Sequence, residues 1–399
     1  MVISINSEKL YTRVLAFILA LLTVYLSGTV PSLVSVTENV IPVAILFIVL
    51  AIFLIRTMRN TFFVSRLIGW ISLVVIFSVI ELINYPATIG LLVYRLGFFV
   101  LYYMAIIYLL SQNIDFENYL YKAIVCIAFV SLVIYVVVHI IHIGIPSSIF
   151  QLRSNANMDY NNYFYMYFEL AYVQASSYRM TGPFWEPGVF QIFLNFALFL
   201  YIKQERTNKK ELAILVIDLL FARSTTGLII GTILFALWMY KTSHIKNKIV
   251  TALPILVTAG IIALNILESK VSATYVQGDS AFIRINDFLL GLKIWKENII
   301  FGNGFFNIEE FSRRNTFNLS TLAGSSNGLM TLCYTTGVVG LSFVLYPFIV
   351  KCIKHHNKMD LLYLLLVLMF NITEPIYYFP FMMCLLANQY VKLRKLRMD

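Results

Sequence analysis

Charge is scarce in this 399-residue chain: 13% of residues are charged, against 60% hydrophobic. A soluble domain carries roughly 25% charged residues, so a soluble globular fold is excluded. Histidine is also scarce. The five are His139, His142, His244, His355 and His356, and the last three fall in basic clusters with no metal-binding spacing. The four cysteines, Cys126, Cys333, Cys352 and Cys384, lie in or beside apolar runs and form no CxxC. They read as small buried hydrophobes. A P-loop, GxGxxG and HExxH are all missing. That argues against ATP-driven transport, zinc chemistry and a nucleotide cofactor. There is no internal repeat and no low-complexity segment.

What the chain does have is apolar runs. They cover 14–30, 40–55, 67–84, 89–110, 120–141, 188–202, 211–222, 224–240, 249–268, 327–350, 360–373 and 376–391. A membrane-spanning helix needs about 20 apolar residues, so the length suits an all-α polytopic membrane protein of about 12 transmembrane helices. Lys9 and Arg13 before the first run resemble a signal peptide, but the many later runs favour an uncleaved first helix. The net charge of +10 does not point to nucleic acid, because the basic residues stand in short clusters between apolar runs. Arg56, Arg59 and Arg66 mark one cytoplasmic loop. Lys203, Arg206, Lys209 and Lys210 mark a second, Lys241, Lys246 and Lys248 a third, and Lys351, Lys354 and Lys358 a fourth. With Lys392, Arg394, Lys395 and Arg397 in the tail, twelve spans with both termini cytoplasmic satisfy every cluster. The loop 111–119 dissents: it should lie inside, yet it carries Asp115 and Glu117 and no basic residue.

This plan makes residues 1–399 a single integral membrane domain. It leaves two large outer-face loops, about 142–187 and 269–326, expected to contain short amphipathic helices. Loops of this length are uncommon without a function. The first ends in "RMTGPFWEPGVFQ", where Arg179, Trp185 and Glu186 stand among prolines and glycines just before a span. Arg223 opens "RSTTG" at the tip of the 211–240 hairpin. A guanidinium beside a helix start suits a phosphate; a snorkelling arginine in a turn is the alternative. In the second loop, Phe282, Ile285, Phe288, Leu289 and Leu292 recur at helical spacing, with Arg284 and Asp287 near the polar side, as in an interfacial helix. Ser325, Ser326 and Asn327 can cap the span that follows. Glu374 stands at the tip of the last hairpin, before Pro375. Within the spans, Arg95 is expected to pair with an acidic residue such as Glu81.

In their order, four segments resemble the O-antigen and capsule polymerases of the Wzy type, and the related O-antigen ligases of the WaaL type. They are "RMTGPFWEPG", "RSTTG", "SAFIRINDFLLGLKIWKENIIFGNGF" and "SSNGLMTLCYTTGVVG". The ligases usually place a histidine just before the returning span; this chain has Ser325-Ser326-Asn327 there and no histidine in 269–326, which favours the polymerase. The resemblance implies a glycosyltransfer at the outer (periplasmic) face of the cytoplasmic, or inner, membrane. A growing glycan leaves undecaprenyl diphosphate and joins a new undecaprenyl-diphosphate-linked repeat unit. It implies Arg179, Arg223 and Arg284 as diphosphate-binding residues, and Glu186 then Glu374 as catalytic base. Trp185, Ser325 and Asn327 would bind substrate. No cofactor or metal is required by this scheme. Partners would be the lipid-linked oligosaccharide, membrane lipid and a polysaccharide co-polymerase that regulates chain length, with no nucleic acid. A ligase acting on lipid A-core and a lipid-linked oligosaccharide flippase are the alternatives.

Overall fold

The computed structural model describes residues 2–34, 36–59, 61–152, 158–171, 178–242, 280–315 and 325–395. About 78% of the described residues are helical, because inside lipid a helix satisfies every backbone polar group within its own segment. The helices are α1 (Val2–Tyr25), α2 (Val30–Val34), α3 (Val36–Met58), α4 (Thr61–Asn84), α5 (Ile89–Ser111), α6 (Phe116–Tyr135) and α7 (Pro187–Lys203). They continue with α8 (Lys209–Ala222), α9 (Thr225–Thr242), α10 (Ser280–Glu297), α11 (Ile308–Arg314), α12 (Gly328–His355), α13 (Lys358–Thr373) and α14 (Pro380–Lys395). The expected span 249–268 lies outside the described residues; each of the others falls on a helix. Among the described residues 6 helices are long and apolar enough to cross a membrane. The protein is an all-α membrane protein in class.

Two compact units divide the chain. The first comprises Met1–Ser27, Val36–Leu120 and Arg284–Asp399; the second comprises Gly28–Ser35 and Tyr121–Ile283.

In the first unit α5 is central, contacted by α3, α4 and α14, while α12 packs on α13 and α14. Aromatic edges knit these helices. Trp70 of α4 meets Phe99 at 4.8 Å, Tyr103 at 5.0 Å and Tyr390 at 5.4 Å between centroids, a geometry that adds to plain burial. At one end of the unit Glu117 is 1% exposed. It accepts from Asn388 Nδ2 at 2.8 Å and lies 3.0 Å from Lys392 Nζ, which also reaches Asp115 at 3.2 Å. The two acidic residues that disturb the charge pattern are thus partners of the C-terminal basic residue.

The helix α12 is broken. Gly337 has φ 63° and ψ −163°, a conformation that only glycine adopts without strain. The turn at 299–303 docks on the break. Val338 N–H donates to Ile299 O at 2.9 Å, Val339 N–H to Ile300 O at 3.2 Å and Asn303 N–H to Tyr334 O at 2.8 Å. The groups released by the break are therefore satisfied by protein, as membrane depth requires.

In the second unit α7 is the hub. Its residues from Val189 to Ile202 are all buried, and α8 and α9 pack on it; a helix apolar all round belongs in a core. The described part of the loop 142–187 contains strands rather than the expected amphipathic helix. They are β1 (Ser148–Leu152), β2 (Met158–Tyr163) and β3 (Tyr167–Leu170), antiparallel in the order β1-β2-β3. The turn between β2 and β3 has positive φ at Phe164 (56°) and Tyr165 (60°). Asn162 Oδ1 braces it by accepting Tyr165 N–H at 2.8 Å. The loop 269–326 does hold helices, α10 and α11.

Candidate functional site

Arg223 ends α8 in the left-handed region (φ 48°, ψ 32°), with its side chain exposed. Arg179 builds this tip. Its Nε donates to Ala222 O and its Nη2 to Arg223 O, both at 3.2 Å. A cation on the last carbonyls of a helix is favoured by the dipole. Burial lowers the pKa of Arg179; the charge of Glu186 opposes this and that of Arg223 adds to it. The structure thus brings Arg179, Glu186 and Arg223 into one electrostatic neighbourhood. It also gives Arg179 a structural duty that the sequence reading had not assigned.

Glu186 is the N-cap of α7, followed by Pro187 at the first helical position, and its carboxylate makes no capping bond. Its charge reaches Tyr160, whose pKa is pushed up to about 12 mainly by burial and further by Glu186. Trp185 packs on the cluster of Val30, Tyr160 and Phe168. Its ring also covers Gly28 (φ +98°), where a Cβ would lie 2.3 Å from Cζ3. Part of the ring surface expected to meet sugar is therefore against protein.

Beneath the Arg223 tip the second unit holds a cleft of about 550 Å³. Its walls include Tyr135, Tyr163, Tyr178 and Phe221, with His139, His142, Glu169 and Arg223 as the polar groups. Volume and lining suit one or two sugar rings. Glu169, 6% exposed, has its Oε2 2.8 Å from His139 Nε2. Its Oε1 accepts from Tyr163 Oη at 2.8 Å and Asn161 Nδ2 at 3.3 Å. Burial works to raise its pKa, but bonds from His139, Tyr163 and Asn161 outweigh it and hold the carboxyl below its usual range. Sequence reasoning passed over both His139 and Glu169. Thirty positions of chain and a sheet separate them, and no motif spans that gap.

The remaining expected residues assemble in the first unit. Arg284 Nη1 donates to Thr373 O at 2.8 Å, and Nη2 lies 3.4 Å from Glu374 Oε1. Glu374 is 6% exposed at its side chain and Arg284 40%. Glu374 is therefore a buried ion-pair partner, while the guanidinium keeps an open face. Asn327 caps α12 by accepting Met330 N–H at 3.0 Å. Ser325 Oγ accepts Asn327 N–H at 3.0 Å. Both are buried, so their observed work is capping. Asp287 points inward, accepts Ser326 N–H at 2.7 Å and is fully buried. Burial raises its pKa and the bonds from Ser326 work against the rise. Apolar Ile285, Phe288 and Leu289 of the same helix are 43–57% exposed, as an interfacial helix presents them.

The expected Arg95–Glu81 pair is not formed. Glu81 accepts Phe305 N–H at 2.6 Å and the Thr88 hydroxyl. Arg95 lies over the rings of Tyr94 (5.1 Å) and Tyr378 (5.5 Å), a cation–π arrangement that substitutes for a carboxylate where the ring is desolvated. Both residues line one apolar crevice with Phe77, Phe301 and Phe343.

A model of the WcaD colanic acid polymerase family matches residues 11–390. The chain belongs to this family. It is thereby a polysaccharide polymerase of the Wzy type, and the match takes in part of the first unit, all of the second and every candidate site residue named above. No curated protein matches the chain.

Proposed function

We propose that the protein polymerises lipid-linked oligosaccharide repeat units by glycosyl transfer at the outer face of the cytoplasmic membrane, through twelve spans with both termini inside. The observation that carries the reading is the family match over residues 11–390. The donor is a growing glycan on undecaprenyl diphosphate and the acceptor a single repeat on the same lipid. A hydroxyl of the acceptor sugar attacks the donor's anomeric carbon. The new C–O bond forms, the bond from that carbon to the diphosphate breaks with its electron pair, and the hydroxyl proton leaves to a base. The reaction needs no nucleotide sugar, in keeping with the missing nucleotide motifs. Colanic acid, the polymer in the family's name, is one candidate product class; capsule and O-antigen are others.

Positive charge on the leaving diphosphate is the largest demand. Arg223 of the second unit meets it with exposed guanidinium surface, and Arg179 supports Arg223 by fixing the tip while adding its own charge; Arg284 of the first unit offers an open guanidinium face of its own. Glu186, whose carboxylate is not tied into a cap, orients sugar hydroxyls beside Trp185. Glu374 acts through Arg284, and Ser325 and Asn327 through the helix start they cap. A co-polymerase that sets chain length is the partner such a reaction would use.

Deleting the gene and resolving the surface polysaccharide on a gel tests the reading. The expected result is loss of the ladder with a single-repeat band retained, restored by a plasmid copy. An intact ladder overturns the proposal. Loss of all bands with accumulated lipid-linked polymer would mean a ligase, and trapped lipid-linked single repeats a flippase.

A further inference from the structure

Just after α6 the helix loosens into a π-helical turn, Val136–Ile140. Such turns are rare and recur at functional sites. This one carries His139 into the wall of the 550 Å³ cleft. The imidazole is held on several sides. Nε2 faces Glu169 Oε2 at 2.8 Å and Tyr167 Oη at 3.1 Å. The ring lies 4.4 Å from the Tyr178 ring at 33° and 5.0 Å from that of Tyr135. The side chain is 9% exposed, so what reaches it must enter the cleft.

The carboxylate decides the tautomer. Glu169 Oε1 takes two donors, from Tyr163 and Asn161, and Oε2 lies 2.8 Å from Nε2. An ionised carboxylate beside Nε2 keeps the proton on that nitrogen and leaves Nδ1 as the basic one. Among the described residues no partner occupies Nδ1. A carboxylate that fixes the tautomer and steadies the imidazolium formed later is a general device for making a base. Arg223, the exposed cation expected at the diphosphate, lines the same cleft.

We infer that His139 is the general base of the polymerisation, positioned by Glu169, and that the cleft it shares with Arg223 receives the acceptor's terminal sugar. Nδ1 takes the proton of the attacking hydroxyl as the glycosidic C–O bond forms. The diphosphate departs with the electron pair of the broken bond. The imidazolium then returns its proton to water. Tyr135, Tyr163 and Tyr178 offer ring faces and hydroxyls to the sugar, and His142 and Arg223 are the other ionisable groups in the wall. Neither Glu186 nor Glu374 then carries the proton.

The inference rests on the polymerase reading, and the test separates the two. Lipid-linked single repeats are extracted from a strain lacking the gene and supplied to the purified full-length protein in lipid nanodiscs. Turnover is followed from about pH 5 to 9. His139→Gln is expected to lower kcat by 10²–10⁴-fold with KM little changed, and to abolish the acid limb of the rate profile. Glu169→Gln is expected to lower kcat with KM little changed, because the imidazolium formed in the step loses its counter-charge. A merely structural pair would change protein yield and leave kcat of the accumulated protein in place. Wild-type kcat and acid limb in His139→Gln overturn the inference. Should that variant fail to accumulate, a wild-type kcat in Glu169→Gln overturns it. A wild-type protein that extends none of the supplied units sinks the polymerase reading instead.

Discussion

Arg179 and Arg223 are both arginines of the Arg223 tip, yet the structure separates their tasks. Arg179 donates to two backbone carbonyls of that tip. Removing it strands those acceptors, at a cost of about 1–2 kcal/mol. Arg223 has its side chain in the open, and losing it should change stability by no more than about 0.5 kcal/mol. Arg179→Ala is therefore expected to lower the thermal midpoint of the purified protein by a few degrees and to shorten the polysaccharide ladder. Arg223→Gln should leave the midpoint in place and cut polymerisation by about 10²–10³-fold, the scale of one lost electrostatic contact to a leaving group. Equal loss of stability in both would contradict the division. The sequence marked both residues by their odd placement beside spans, but not this division of labour, which depends on a contact 44 positions apart along the chain. His139 and Glu169 were illegible for a related reason. One closes an apolar run and the other sits in an aromatic strand, and neither looks out of place until the π-helical turn and the sheet bring them to 2.8 Å.

At the scale of elements, the helices were readable because lipid enforces long apolar runs, and the irregular parts were not. The β2–β3 hairpin lacks the Asn-Gly or Asp-Gly pair that ordinarily announces such a turn; Phe164 and Tyr165 take the positive φ instead. The alternation of tyrosines and asparagines around 158–163 was the available signal. The break in α12 was equally hidden, since glycines are common in membrane helices and "TTGVVG" reads as an ordinary small-residue stretch. Its neighbour "FGNGF" appeared as an isolated turn, whereas the two form one joint. A Cβ at Gly337 would stand 2.2 Å from Ile300 O, and one at Gly302 would stand 2.4 Å from Thr335 C. Both obstacles are backbone and cannot swing aside. Gly337→Ala is expected to cost about 2–4 kcal/mol, combining a left-handed non-glycine residue with overpacking. Gly340→Ala, at a position that keeps helical φ/ψ, escapes the left-handed penalty and should cost less. Thermal unfolding of the two variants, side by side, measures the difference; a Gly337→Ala protein as stable as wild type would mean that α12 can straighten.

For the molecule as a whole, the sidedness of the chain follows from where its charges rest. In the proposed twelve-span plan the basic clusters put the tail inside the cell, and the dissenting loop 111–119 was the weak point of that plan. Its acidic residues turn out to be ligands for Lys392, with Glu117 almost wholly buried. A loop and a tail joined by an ion pair must lie on one side of the membrane, so the acidic loop and the tail share a face. Acidic residues count little in the sorting rule, and here pairing removes even that small effect. The loop that begins at 142 should lie on the opposite side, one span away. Single cysteines can be placed at Gln112, Lys358 and Ile143, all exposed, in a protein whose native cysteines are changed to serine. A membrane-impermeant thiol reagent applied to intact cells with a permeabilised outer envelope should label Ile143→Cys at once. Gln112→Cys and Lys358→Cys should react only after the cytoplasmic membrane is opened. Labelling of Gln112→Cys from outside would invert α5 and α6, move His139 and Arg223 to the cytoplasmic face, and so remove the lipid-linked glycan from their reach.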